Sequence, residues 1–205
     1  MRKMKRLLVI YDKEIQDKGR DSYLKLIKRE IPSAKICDKQ ELKGDKEKFE
    51  KLLILKPMKD EYYKPFTRVF ENKPSIDIEG QFTNQLTITA EAIIRVIGPV
   101  DKKTVVIINQ SDVLGRPLAK ELINLGANVI SLNSSYPCLD NLLTMTDVDV
   151  LVSASGKYEF KLDRILTRMI DVKVDLSDDL EDPIKITIVP TVEILKERLE
   201  EWLNY

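Results

Sequence analysis

Residues Lys103–Leu132, KTVVIINQSDVLGRPLAKELINLGANVISL, read as one β-turn-α-β unit around which the rest of the chain can be placed. Val105, Val106, Ile107 and Ile108 form an unbroken β-branched run, which suits a strand covered on both faces in a parallel sheet. Asn109, Gln110, Ser111 and Asp112 are turn and N-cap residue types. Leu114, Leu118, Leu122 and Leu125 then recur at helical spacing, and Gly126 stops the helix. Asn128 to Leu132 supplies the next strand, giving the length and right-handed crossover of a βαβ unit. In such a unit the first strand ends at a helix N-terminus whose free N–H groups favour an anion, the place where a dinucleotide pyrophosphate would sit. The G-x-G-x-x-G fingerprint of that site is incomplete, with only Gly115, one residue late, and with Asn109 and Ser111 at the two earlier positions. On the glycines alone the stretch reads as a structural crossover.

Composition narrows the chemistry. A length of 205 residues is comfortable for two small α/β domains. Lys plus Arg and Asp plus Glu both number 34, so no net field draws in nucleic acid or anionic lipid, and neither is expected as a partner. Cys37 and Cys138 lie far apart without a second ligand pair, which suggests neither a disulfide framework nor a zinc site. With no histidine in the chain, Ser-His-Asp, Cys-His and His-metal chemistry are removed. Lys, Tyr, Asp and Glu are left as the proton carriers. Basic Met1–Arg6 precedes an apolar run too short for a secretory signal, and Asp12, Lys13 and Glu14 follow at once. No stretch approaches the length of a membrane span, so a cytoplasmic protein is expected.

Strand and helix signals alternate along the chain. Leu7–Tyr11 reads as a strand. Asp21 or Ser22 caps a helix whose stripe is Tyr23, Leu24, Ile27 and Ile31, and Pro32 ends it. Ala34–Cys37 forms a short strand, Asp38–Lys51 a solvated charged face, and Leu52–Leu55 a third strand. Glu61–Glu71 is a helix and Asn72–Gln81 a loop. Thr87–Ile97 is a connecting helix closed by Gly98-Pro99. Beyond the central unit the pattern predicts a helix at Leu139–Thr144, a strand at Val148–Val152 and a helix or turn at Phe160–Thr167. It also predicts strands at Val172–Leu176 and Ile184–Val189, then a terminal helix with the stripe Val192, Leu195, Leu199 and Trp202. The expected fold class is α/β in two lobes: an N-terminal α/β domain over 1–86 and a Rossmann-like domain over 87–190. The helix 191–205 returns to the first lobe, because its apolar stripe needs a partner surface.

The segment Gln110–Val129 (QSDVLGRPLAKELINLGANV), followed by Asp149–Gly156 (DVLVSASG), resembles the nucleotide domain of the methylenetetrahydrofolate dehydrogenase/cyclohydrolase family. That family carries G-R-S-x-x-V-G-x-P, a helix, G-A-x-V and then A-D-x-x-x-x-A-x-G. This chain keeps Ser111, Gly115, Pro117, Gly126, Ala127, Val129, Asp149, Ala154 and Gly156, and departs at Asn109 and Gln110, where the family has Gly and Arg. The resemblance implies NADP or NAD as cofactor. It would be held by Gln110, Ser111, Gly115, Arg116 and Pro117 at the first turn, by Asn133 and Ser134 after the second strand, and by Ala154, Ser155 and Gly156. The missing acidic residue near Asn133 leaves NADP permitted without requiring it.

The same resemblance implies a folate-type small molecule in the first lobe and a homodimer. In the family a Ser-Tyr pair opens a helix, and a lysine one turn after the tyrosine is the general acid/base. Ser22 and Tyr23 are retained, but the lysine position is Ile27. Lys28 points about 100° away on a helix of 3.6 residues per turn, so either it or Lys56 would have to stand in. The family's V-Q-L-P-L-P becomes Ile54-Leu55-Lys56-Pro57-Met58, with Leu55 for the glutamine. Its K-D-V-D-G becomes Ile76-Asp77-Ile78-Glu79-Gly80, with Glu79 for the pterin-binding aspartate. Its glycine-rich closing loop is reduced to Val189-Pro190-Thr191-Val192. Tyr23, Lys28 and Glu79 are the catalytic candidates. Three readings follow: an enzyme of that family with substituted catalytic residues and weak or lost activity, a non-catalytic nucleotide- or folate-binding regulatory module, and a structural partner-binding subunit.

Overall fold

The structure, a computed structural model, describes residues 7–15, 18–41, 49–157, 159–185 and 188–203. The chain divides into two units, residues 1–85 with 188–205, and residues 86–187. In chain order the first unit runs β1 (Leu7–Tyr11), α1 (Lys18–Glu30), β2 (Lys35–Asp38), β3 (Lys51–Ile54) and α2 (Asp60–Asn72). The second runs α3 (Ile88–Ile97), β4 (Thr104–Ile108), α4 (Gly115–Asn124), β5 (Asn128–Leu132), α5 (Leu139–Met145), β6 (Val150–Ser153), α6 (Arg164–Thr167), β7 (Val172–Asp175) and β8 (Ile184–Lys185). Helix α7 (Ile188–Leu203) closes the chain in the first unit.

The second unit is a five-stranded parallel sheet of order β5-β4-β6-β7-β8. Its central strand shows why the Val105–Ile108 run is apolar throughout. Val105 and Ile107 pack in one cluster with Ile93 and Ile97 of α3 and Leu118 and Leu122 of α4. Val106 and Ile108 point the other way, into a cluster with Leu139 and Leu143 of α5. All four strand side chains are fully buried, each such burial contributing about 1.5–3 kcal/mol. The helix stripe holds for Leu114, Leu118 and Leu122, whereas Leu125 is exposed, because α4 ends at Asn124 and the stripe ends with it.

The first unit is a three-stranded parallel sheet of order β2-β1-β3. Leu8, Ile10, Cys37, Leu52, Ile54, Met58 and Phe70 form one of its cores, with the Phe70 and Phe82 rings stacked at 5.1 Å. Helix α7 buries Val192, Ile194, Leu195 and Leu199. It packs along α1, where the Lys196 ammonium meets the Glu30 carboxylate at 3.0 Å.

Three local expectations change. The strand expected over Ile184–Val189 covers only Ile184–Lys185, because Ile188 and Val189 already belong to α7. Pro190 is compatible with that start, since the first turn of a helix has no acceptor for its backbone N–H. Helix α1 begins at Lys18, ahead of the expected cap at Asp21. Within the charged stretch Asp38–Lys51, residues 42–48 lie outside those described, but Asp38 and Lys39 are buried rather than solvated. The expected place of Trp202 in the terminal stripe also lies outside the described side chains.

Candidate functional site

In the second sheet the chain leaves β4 for β5 on one side and returns as β6 on the other. The crevice at the carboxyl ends of β4 and β6 is therefore the topological switch point where open α/β sheets place ligands. Asn109 follows β4 and Ala154 follows β6, and they are tied directly: the Asn109 Nδ2 donates to the Ala154 carbonyl at 2.7 Å. The Asn109 Oδ1 accepts three further hydrogen bonds, from the Ser111 N–H (2.9 Å), the Ser111 hydroxyl (2.8 Å) and the Gly115 N–H (3.0 Å). The Ser111 Oγ in turn accepts from the Leu114 N–H at 3.2 Å. Leu114 is the N-cap of α4 and offers no side-chain acceptor, so Asn109 and Ser111 satisfy the orphan donors of the first turn from outside it.

Gly115 is required by this closeness. A Cβ there would lie 1.9 Å from the Asn109 carbonyl oxygen and 2.4 Å from its carbon, separations that side-chain motion cannot relieve. Gln110 reaches across to β5, its Nε2 donating to the Ser131 carbonyl at 2.9 Å. The exposed Arg116 pairs with Asp112 at 2.6 Å, so its charge is engaged beside its own helix, and Pro117 is half-buried one residue on. Past β5, the Asn133 Oδ1 accepts from the Ser135 N–H (2.9 Å) and the Ser135 hydroxyl, and Ser134 is half-buried.

The loop after β6 carries Ala154, Ser155 and Gly156, and its anchor is a residue the sequence reading missed. The Asp179 carboxylate, 1% exposed, accepts from the Ser153 hydroxyl (2.6 Å), the Ser155 hydroxyl (2.9 Å) and the Ser155 N–H (3.1 Å). Gly156, at φ 65°, donates its N–H to the Ser177 Oγ at 3.1 Å. Asp175, at the end of β7, holds the Ser177 and Leu180 N–H groups at 2.8 Å each. The signal in sequence was the acid-rich run Asp175–Asp182 directly after a strand. Hydrogen bonds to a charged acceptor are worth about 1.5–3 kcal/mol, and Ser153 is fully buried. Asp179→Ala is accordingly expected to lower stability by about 3 kcal/mol and to raise amide exchange at Ser155, both measurable by denaturant titration and hydrogen exchange. A loss under about 1 kcal/mol would show that the Ser155 loop holds itself.

In the first unit, Tyr23 of α1 is hydrogen-bonded by Thr191 of α7 and lies within electrostatic reach of Glu79 and Arg198. Burial, reinforced by the Glu79 carboxylate, pushes the Tyr23 phenol well above its ordinary value against the opposing effects of Thr191 and Arg198. At neutral pH it is a neutral ring with a hydroxyl donor, suited to packing and hydrogen bonding rather than to taking a proton. The loop bearing Glu79 is fixed from two sides. The Arg198 guanidinium donates to the Ile78 (3.0 Å) and Glu79 (2.8 Å) carbonyls. The buried Asp77 carboxylate accepts from the Glu79 N–H at 3.0 Å and the Phe82 N–H at 2.8 Å. Burial pushes the Asp77 carboxyl up, and the backbone N–H bonds and Arg198 offset it only in part.

The structure therefore brings Tyr23 and Glu79 together with Thr191 and Arg198, which were not singled out. It leaves Lys28 on the exposed flank of α1, and Ile27 is 0% exposed in the core. Leu55 is buried after β3, and the Lys56 ammonium lies 3.9 Å from the centre of the Tyr63 ring. A separate buried ion group stands at the ends of β1 and β2. Lys39 contacts Asp12 at 2.8 Å, Glu14 at 2.9 Å and the Tyr62 ring at 3.8 Å. A cavity of about 550 Å³ opens at the opposite, amino-terminal end of the second sheet, beside Asp149 and Asp171, away from Asn109 and Gly156. Among the described residues no cluster of acids and cysteines could hold a metal, and no helix is long and apolar enough to cross a membrane.

The family profile described as tetrahydrofolate dehydrogenase/cyclohydrolase, NAD(P)-binding domain, matches residues 87–179. The match covers most of the second unit and less than half of the chain. No curated protein matches the sequence. Solved structures with the same fold include the bifunctional FolD dehydrogenase/cyclohydrolase of Campylobacter jejuni, at 17% identity and TM-score 0.66 over 96% of this chain and 87% of that one. The Trypanosoma brucei enzyme, complexed with NADP and an inhibitor, is 16% identical with TM-score 0.66 over 95% and 85%. The NAD-dependent enzyme of Saccharomyces cerevisiae is 16% identical with TM-score 0.67 over 96% and 87%. At these identities the structural likeness shows the fold alone. The family match adds that residues 87–179 are similar to an NAD(P)-binding domain.

Proposed function

We propose that this chain is a divergent tetrahydrofolate dehydrogenase/cyclohydrolase that still takes up its two ligands but turns over folate weakly or not at all. The observation that carries the reading is Ile27. It is fully buried where the family's general acid/base lysine would stand, with Lys28 exposed and Leu55 in place of the family's glutamine. Proton transfer by a positioned group is typically worth roughly 10² to 10⁴ in rate, and an alkyl side chain supplies none of it. The folate-type molecule would be held at Tyr23 and Glu79, with Arg198 fixing the loop and Thr191 orienting the phenol. NADP or NAD would lie at the β4/β6 crevice against Gln110, Ser111, Gly115, Arg116 and Pro117, along Asn133 and Ser134, and over Ala154, Ser155 and Gly156. When bound it would supply the hydride acceptor. Asn133, Ser134 and Ser135 stand directly after β5 where an acidic residue would repel a 2′-phosphate, which leaves NADP permitted without requiring it.

A second reading, a nucleotide- or folate-binding regulatory module, draws on the same observation: the loop carrying Glu79 is firmly built while the proton carrier is gone. Homodimerisation and a cytoplasmic location belong to the proposal by family likeness. Calorimetry with NADP and with tetrahydrofolate, beside assays of methylenetetrahydrofolate oxidation and methenyltetrahydrofolate hydrolysis, separates the readings. Binding with turnover at least a hundredfold below that of an active relative assayed in parallel is expected. Turnover at that relative's rate would overturn the proposal. The decisive variant would then be Lys28→Ala, and its loss of activity would show a rotated α1. No binding of either ligand by folded protein would leave the structural subunit.

A further inference from the structure

We propose that the Asn109 carboxamide is a built-in stand-in for a phosphate oxygen at the N-terminus of α4, and that it sets a low affinity for diphosphate-bearing ligands. The inference rests on the reading of this crevice as the dinucleotide site. An incoming phosphate needs free donors at the helix start, since that is where the dipole and the unpaired N–H groups act. Here the donors are taken. A single side-chain oxygen, Asn109 Oδ1, already accepts the Gly115 N–H, the Ser111 N–H and the Ser111 hydroxyl, all within 3.0 Å. The other end of the same carboxamide is pinned to the Ala154 carbonyl of the facing loop, so its orientation is fixed from both sides of the switch point.

This differs from simple crowding. A bulky residue would deny space, whereas this one presents an acceptor of the same kind as a phosphate oxygen to the same donors. The absence of any Cβ at Gly115 is what lets the chain come this close, so the close approach that glycine provides is used by the protein's own side chain. A diphosphate must displace the carboxamide, breaking four hydrogen bonds before it forms its own, while a ligand without phosphate need not touch it. The crevice therefore discriminates against the diphosphate and leaves the nucleoside ends of a ligand little affected.

The test compares the full chain with Asn109→Gly and Asn109→Asp, titrated with NADP by calorimetry and with adenosine by chemical-shift perturbation. Asn109→Gly frees the donors and should tighten NADP by about tenfold or more, as expected for gaining charge-assisted bonds, with adenosine unchanged. Asn109→Asp keeps an acceptor for the same donors but adds a negative charge beside the phosphate. It should weaken NADP by about tenfold, again with adenosine unchanged. Equal NADP affinity in the wild type and a folded Asn109→Gly overturns the proposal while leaving the dinucleotide reading intact. So does a gain shared by adenosine. If Asn109→Gly does not fold, Asn109→Asp decides, and unchanged NADP affinity in it overturns the proposal. Failure of both the wild type and Asn109→Gly to bind NADP at millimolar concentration overturns the dinucleotide reading and this proposal with it.

Discussion

Gly115→Ala is expected to destabilise the chain by about 3 kcal/mol and to abolish measurable dinucleotide binding. Elsewhere in a helix this substitution helps, by about 1 kcal/mol of propensity. Here the new methyl group would sit 1.9 Å from the Asn109 carbonyl oxygen and 2.8 Å from its Oδ1, so the strand end and the helix start must separate. Overpacking of this kind typically costs about 1–3 kcal/mol, and the atoms in the way are backbone that ends the central strand β4. Separation also moves the N-terminus of α4 away from the end of β4, so the donors that a phosphate would meet no longer face the crevice. Urea titration of wild type and variant measures the first effect and NADP calorimetry the second. A variant within about 1 kcal/mol of wild type would mean that the turn relaxes freely.

Asp12→Ala is expected to cost about 3–5 kcal/mol at pH 7, because it strands a buried ammonium. The carboxylate is 0% exposed after β1, and the Lys39 side chain is buried against the Tyr62 ring with the half-exposed Glu14 as its other ion-pair partner among the described residues. Burial alone would push the Asp12 carboxyl up. The hydrogen bonds from Lys39 and the Glu14 N–H, with the charges of Lys39 and Lys59, outweigh it and hold the group below the usual carboxylate range. Burial likewise opposes the Lys39 ammonium, but its bonds to Asp12 and Glu14 raise it above the ordinary lysine value. The pH signs follow from those directions. Stability from Asp12 is present above about pH 4, its ordinary value, and is lost as pH falls through its lowered one; that from Lys39 is present below about pH 10 and is lost as pH rises through its raised one. The gap between wild type and variant should be flat through neutral pH and shrink at the acid end. A double variant, Asp12→Ala with Lys39→Met, should recover most of the loss, since no charge is then left unpaired. A gap that persists undiminished well below pH 3 would rule out the ion pair as its source.

The fold was legible where burial on two faces writes itself into composition, as in Val105–Ile108, and where a stripe and a stop coincide, as in Leu114–Gly126. The site was legible only in outline. Asn109 stood out as a departure from glycine, but its bond to Gly115, six residues on, depends on a turn geometry that residue type does not encode. Lys39 was hidden in a charge run because nothing local distinguishes a solvated lysine from one that finds an aspartate 27 positions away. Asp179 was missed for the same reason, its partner Ser155 being 24 residues back. The start of α7 was misplaced because Ile188 and Val189 are β-branched, and the packing of α7 on α1 overrides that local preference.

The Arg198 guanidinium grips the Ile78 and Glu79 carbonyls across 120 and 119 positions of sequence, and the whole second unit lies between them. On a ribosome the usual order, in which the amino-terminal domain completes itself first, is thereby reversed. The β5-β4-β6-β7-β8 sheet has all its strands as soon as Lys185 has emerged, while the first unit waits for residues 188–203 to cover α1 and lock the Glu79 loop. Until then the α1 face that receives α7 stays open to water. A nascent chain stalled before Ile188 should thus bind nucleotide before it can bind anything at Tyr23, making α7 the step that completes the unit whose synthesis began first.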